Sequence, residues 1–400
     1  MKKLLLAGSA LALVAGAASA EDVMIGTLLG ATGPIESIAP NMFTASEMAM
    51  AEVNASGKAA NGWVFKDVRA DSTCIDAAAA TAAAERLVTV EGIKGMVGGD
   101  CSGVTRAVLT NVAMTNGIVM ISPSATSPAL SSDPDDGLFF RTVPSDAREG
   151  AVMGDILADR GVKTIAISYS NSDYGKGLAE SIAAAFTAKG GTVTINASHD
   201  DGKADYSAEI AALAAAGGEV LVVAGYIDQG GKGIIQASID TGAFSIYGLP
   251  GGMYGQSLVD ALGAGLNGSF GQHASSTTEG YTDYLALATA NDPSFDGSTN
   301  FAPQSYDAAA LIMLAMQAAN STDSKVYKDK IMEIANGPAD GSGVKIKAGE
   351  LGKALELITA GTAIDYEGAT GVNLIDTGDA SGTFAEDEVK DGKWEVVGYR

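Results

Sequence analysis

The chain has 400 residues, 46% of them hydrophobic, with only 51 glycines and 10 prolines, so it can bury a core for two ordinary domains and is no low-complexity chain. Its formal charge of −23 repels phosphate backbones and anionic lipids, which disfavours nucleic acid and membrane surfaces as partners. Its only cysteines and histidines, Cys74, Cys101, His199 and His273, show no zinc spacing. Each histidine reads as a polar surface or loop residue, and nothing in the sequence asks for a cofactor.

Lys2 and Lys3, the apolar run from Leu4 to Ala17 and the small residues Ala18-Ser19-Ala20 read as a secretory signal peptide, residues 1–20. The apolar run is too short to span a bilayer comfortably, so the mature chain is expected to be exported and soluble. Without the two lysines its charge becomes −25. In an oxidising compartment an isolated cysteine pair favours a disulfide. The 27-residue separation would contribute roughly 3.5 kcal/mol on the chain-entropy estimate.

From there strand and helix patterns alternate. Strands are expected at 23–29, 63–70, 95–98 and 118–121, with helices at 40–53, 75–90 and 102–115 between them. After a break near Phe139 the alternation restarts. Helices at 147–159, 177–189, 206–216, 234–241 and 257–262 separate strands at 164–169, 192–197, 219–225 and 245–249. Beyond Gly271 the pattern is mostly helical, at 281–290, 305–319, 324–334 and 351–359, and the end from Ile364 to Tyr399 reads as short strands and turns. The fold class is α/β, two doubly wound lobes with parallel central sheets. Asp376 and Asp379 fail the spacing of a calcium loop and read as a hairpin turn.

The loops between Ile118 and Gly177 are the most informative. They carry Ser122, Ser124, Thr126, Asp146 and Tyr174 just past short apolar runs, where open α/β sheets bind small molecules. Hydroxyls and one carboxylate, without a nucleophile and base, suit gripping a ligand rather than transforming it. No Gly-x-Ser-x-Gly elbow and no dinucleotide glycine spacing occurs, which argues against an enzyme. Ser102 opens a helix, where free N–H groups and the dipole favour an anion, although a serine there is also an ordinary N-cap.

These motifs resemble the branched-chain amino acid-binding (leucine/isoleucine/valine-binding-like) class of periplasmic substrate-binding proteins, which feed ABC transporters. The resemblance rests on GATGP at 30–34, Cys74 with Cys101, ISPSATSPAL at 121–130, FRTVPSDAREG at 140–150, SDYGKG at 172–177, SYDAA at 305–309 and YEGATG at 366–371. It implies a type I periplasmic binding fold, two Rossmann-like lobes joined by three hinge crossovers. Lobe one would hold residues 21–143 and 277–375, lobe two 144–276 and 376–400. It implies an early disulfide between Cys74 and Cys101, a serine at Ser102 holding a ligand carboxylate, and ligand contacts from Ala125 and Thr126. Tyr174 and Tyr226 would close from the far side, with packing on their own lobe as the alternative for Tyr174. Asp146 could face a ligand ammonium or cap the helix that follows.

Two positions depart from the pattern. Gly251, in LPGGMYG, stands where amino-acid binders often place a glutamate that pairs with the ligand ammonium, and Ile38 stands where some present a tryptophan. A buried ammonium without a counter-charge is costly. Either Asp146 or Asp228 supplies the charge, or the ligand is an amide, a urea-like molecule or an aromatic or aliphatic organic acid. The expectation is a monomeric periplasmic receptor that partners the membrane permease of an ABC importer and binds a small amino acid or similar carboxylate. A soluble sensor, or a binder of a non-amino-acid ligand, is the alternative.

Overall fold

The computed structural model describes residues 21–400; the segment read as a signal peptide lies outside them. Fourteen strands follow in chain order: β1 (Glu21–Leu29), β2 (Trp63–Asp71), β3 (Gly95–Gly98), β4 (Met120–Ser122), β5 (Phe139–Arg141), β6 (Thr164–Ser170), β7 (Thr192–His199), β8 (Val220–Ala224), β9 (Tyr247–Leu249), β10 (Phe270–Ser275), β11 (Val344–Lys347), β12 (Ile364–Gly368), β13 (Thr383–Lys390) and β14 (Lys393–Tyr399).

The first sheet is wholly parallel in the order β2-β1-β3-β4-β5. The second repeats that order as β7-β6-β8-β9-β10 and then adds β13 and β14. In this order the chain reverses direction next to the first strand of each set, and the crevice outside the carboxyl ends there is the natural binding place of an open α/β sheet. The last two strands, from the end expected to hold short strands and turns, are antiparallel additions: β13 pairs with β10 and β14 with β13. A tight turn at Asp391-Gly392, both at positive φ, sets β14 antiparallel to β13. β11 and β12 form a separate parallel pair. The chain passes between the two sheets after β5, after β10 and after β12.

Helix bounds follow local chemistry. Asp76 accepts from Ala78 and Ala79 amides and starts the helix Ala77–Thr89. Helix Ala302–Ala319 has almost no polar face and is buried from Ala302 to Gln317. Helix Asp146–Asp159 begins at Ser145, whose hydroxyl accepts from the Ala147 amide. Its small face, Gly150 and Gly154, lies against helix Asp173–Ala188; a Cβ on Gly150 would sit 2.5 Å from Ser181 Cβ. That close approach fixes how far the first turn of the helix reaches toward the crevice.

Both histidines are buried, against the expectation of surface or loop positions. His199 ends β7 with Nδ1 2.8 Å from Ser168 Oγ, and burial pushes its pKa down to about 4. His273 sits inside β10, its Nδ1 2.7 Å from Asp387 Oδ2, stacked on Tyr254. A partner on the neighbouring strand engages the Nδ1 of each ring, which a single sequence does not display.

Candidate ligand-binding site

The loops leaving the carboxyl ends of the two sheets meet around a narrow cavity of about 30 Å³. From the first sheet, the loop after β1 contributes Ile35 and Ile38, the loop after β3 contributes Asp100, Cys101 and Ser102, and the loop after β4 contributes Ser124 and Thr126. From the second come Tyr174 after β6, Tyr226 after β8 and Gly252 after β9, with Glu149 and Phe301 completing the wall. The equivalent strand of each sheet thus delivers a cavity-facing loop, as the shared strand order requires.

Of the six residues singled out from sequence, Ser102, Thr126, Tyr174 and Tyr226 line this one cavity. Ser102 begins helix Ser102–Val108, and its Oγ accepts from the Ser127 amide at 3.1 Å, which leaves the hydroxyl proton free to donate. Tyr174 and Tyr226 lie with ring centroids 5.0 Å apart, and the Tyr174 hydroxyl accepts from the Gly252 amide at 3.1 Å. Burial raises both tyrosine pKa values, so both stay neutral donors.

Ala125 lies just behind the wall. Its amide donates to Ser122 Oγ at 2.9 Å and its carbonyl accepts from Arg141 Nη1 at 3.0 Å, so its main chain is engaged within the loop. Asp146 also lies behind the lining. The capping role considered for it belongs to Ser145. The Asp146 amide donates to Thr126 O at 2.8 Å, while both carboxylate oxygens are buried with no hydrogen-bond partner among the described residues. Burial, reinforced by the charge of Glu149, pushes its carboxyl well above the usual range.

Asp228 does not reach the cavity. Its carboxylate accepts from the Ser37 amide at 2.8 Å and its own amide donates to Pro34 O at 3.1 Å, a pair of bonds across the mouth of the crevice.

The donor-bearing loops rest on a fully paired scaffold. The Cys74–Cys101 disulfide ties the loop after β2 to the loop after β3. Asp100 accepts from Ser72 Oγ at 2.6 Å and from the Gly30 amide, knotting three loops together. Arg141 is wholly buried. Its Nε donates to Asp379 at 2.6 Å, and its other nitrogens hold Ala125 O, Ser127 O and Ser131 Oγ. The residues read as a hairpin turn therefore serve the loop after β4 through Asp379.

Glu149 is the residue the sequence reading missed. It stands one turn beyond Asp146, is buried, and lines the cavity. Its Oε1 accepts from the Gly251 amide at 2.7 Å. Burial pushes its pKa up to about 7 although that amide pulls the other way. The available signal was the i, i+3 spacing from Asp146, which puts both acids on one helix face.

Comparison with known proteins agrees with this architecture. Residues 22–338 match the periplasmic binding protein family. The Leu/Ile/Val-binding protein homolog 3 of Brucella melitensis is 32% identical over 230 residues, 57% of this chain and 61% of that protein, so the match spans about three-fifths of that relative's length. Among solved structures, the branched-chain amino acid transporter substrate binding protein LivJ of Streptococcus pneumoniae, in complex with isoleucine, superposes with a TM-score of 0.76 at 20% identity, covering 95% of this chain and 99% of that one. A solute binding protein of an R. palustris ABC transporter, in complex with 4-hydroxybenzoate, gives 0.74 at 17% identity, covering 95% and 97%. With two sheets of one strand order facing a shared cavity, and a family match over most of its length, the chain belongs to the periplasmic binding proteins.

Proposed function

We propose that the chain is an extracytoplasmic solute-binding receptor of an ABC importer, which takes a small amino acid or similar carboxylate into the crevice and closes on it by hinge motion. Residues 21–143 with 277–375, and 144–276 with 376–400, act as the two lobes. The observation that carries the reading is the convergence of Ser102 and Thr126 from one sheet with Tyr174 and Tyr226 from the other on one buried cavity. Ala125 shapes the wall behind Thr126, and Asp146, bonded to Thr126 O through its amide, stands beside it behind the lining. Neither histidine lines the cavity with its serines, and the hydroxyl-rich lining suits binding and release.

The amino acids named for the Brucella relative favour this ligand class. Bonds across the crevice, Ser37 to Asp228 and Asn300 Nδ2 to Gly251 O at 2.8 Å, are what a closed clamshell would use. Export through residues 1–20, a monomeric state and docking on a membrane permease belong to the same proposal. No helix among the described residues is long and apolar enough to cross a membrane.

Calorimetry of the purified chain against amino acids and organic acids, with mass spectrometry of any ligand carried through purification, tests it. Micromolar or tighter binding of a small carboxylate is the expected result; no binding by any of them would overturn it.

A further inference from the structure

Hydroxyls reach the cavity from both sheets, Ser102, Ser124 and Thr126 from the first and Tyr174 and Tyr226 from the second. Of its acids, Asp100 is spent on Ser72 and the Gly30 amide, which leaves Glu149, with Asp146 behind it, on the helix Asp146–Asp159. Asp146 and Glu149 are 0% and 4% exposed, and both Asp146 carboxylate oxygens are buried with no donor among the described residues, while Glu149 Oε1 accepts from the Gly251 amide. No lysine or arginine lines the cavity, and the nearby Arg141 is spent on Asp379 and three loop oxygens. A buried carboxylate in such surroundings must hold a proton or meet a cation.

Gly251 explains why there is room for one. A Cβ on residue 251 would lie 3.3 Å from Glu149 Oε1 and 3.8 Å from Oε2. A side chain at 251 and the Glu149 carboxylate would therefore compete for one place. The glycine leaves that place to Glu149 and turns its own amide onto Oε1.

We propose that Glu149 is a specificity-determining residue that pairs with a ligand ammonium, with Asp146 as the positioning residue behind it and Gly251 as the gap that admits it. This rests on the receptor reading above and adds the requirement that the preferred solute carries a cationic group opposite its carboxylate.

The test is calorimetry of the full chain, Glu149→Gln, and the double variant Glu149→Gln with Gly251→Glu. The probes are the protein amino acids and, for the tightest binder, the matching acid without its amino group. The wild type should prefer the amino acid, and Glu149→Gln should weaken it on the order of 30-fold or more while changing the deaminated acid by less than about 3-fold. The double variant should recover part of the loss, because the carboxylate returns from the other side. Thermal unfolding of each ligand-free variant checks the fold, and Glu149→Met serves the same comparison should the amide variant misfold.

Equal losses for both probes would show that Glu149 only shapes the wall, and unchanged amino-acid affinity would show that it does not face the ligand; either overturns the proposal. A wild type that binds only acids without an amino group would overturn the cation subsite and leave the receptor standing. A wild type that binds none of the probes would overturn both.

Discussion

The two walls of the cavity are built by opposite rules. On the donor wall the charged and covalent supports are paired: Asp100 with Ser72 and Gly30, Arg141 with Asp379 and three loop oxygens, Cys74 with Cys101. On the acid wall, both carboxylate oxygens of Asp146 are buried without a donor among the described residues beside Glu149, on a helix held by glycine contacts. The difference teaches where stability and where recognition reside. A satisfied scaffold can hold hydroxyls in fixed positions at no further cost, whereas unpaired buried acids lower stability until a proton or a cation completes them.

The largest expected effect would break the donor wall. Arg141→Ala leaves Asp379 buried without its partner and frees the loop after β4, and should cost roughly 3–5 kcal/mol in denaturant unfolding. A loss below about 1 kcal/mol would mean the loop is held by other means.

The acid wall gives the next effect through pH. Glu149 is faced by Asp146 on its own helix, by Tyr174, by Gln272 from β10 and by the Gly251 amide, with Asp100 across the cavity and Arg141 beside Asp146. Its folded pKa of about 7 lies above the ordinary 4.5, so the folded state holds a proton that the unfolded chain releases between them. That contribution is full below pH 4.5 and lost as pH rises through 7. Unfolding free energy of the wild type should therefore fall relative to Glu149→Gln by on the order of 2–3 kcal/mol between pH 5 and 8. A constant difference across that range would contradict it.

A smaller change tests the seat of the acid wall. Gly150→Val drives a side chain into Ser181 and should cost about 1–3 kcal/mol while also weakening ligand binding, since Glu149 and Tyr174 ride on the two helices. Full affinity in a folded Gly150→Val chain would detach the packing from the site. Smallest of all, Ser102→Ala removes one donor and the acceptor of the Ser127 amide, and should weaken binding by about 1 kcal/mol with the fold intact, read by calorimetry.

Much of this was legible in the sequence, for identifiable reasons. Apolar runs ending in hydroxyl-rich turns marked β4, β5 and β6, and the loops after strands are where Ser102, Thr126, Tyr174 and Tyr226 converge. What stayed hidden depends on contacts distant in sequence. Glu149 looks like any acidic residue in the first turn of a helix, where it complements the dipole, and only the Gly251 amide, 102 positions away, shows what it does. Asp228, weighed as a counter-charge, is occupied by a backbone bond to Ser37 that no local pattern announces. The same holds for the buried histidines, whose partners Ser168 and Asp387 lie on neighbouring strands.

The most direct measurement is a proton count on binding. Calorimetric titration of the wild type at pH 6, in two buffers of different ionisation enthalpy, should show close to one proton released per amino acid bound, because an arriving ammonium forces Glu149 to ionise. The Glu149→Gln chain should release none. Binding by the wild type without proton release, or the same release from the variant, would contradict the pairing of an acid wall with a cationic ligand.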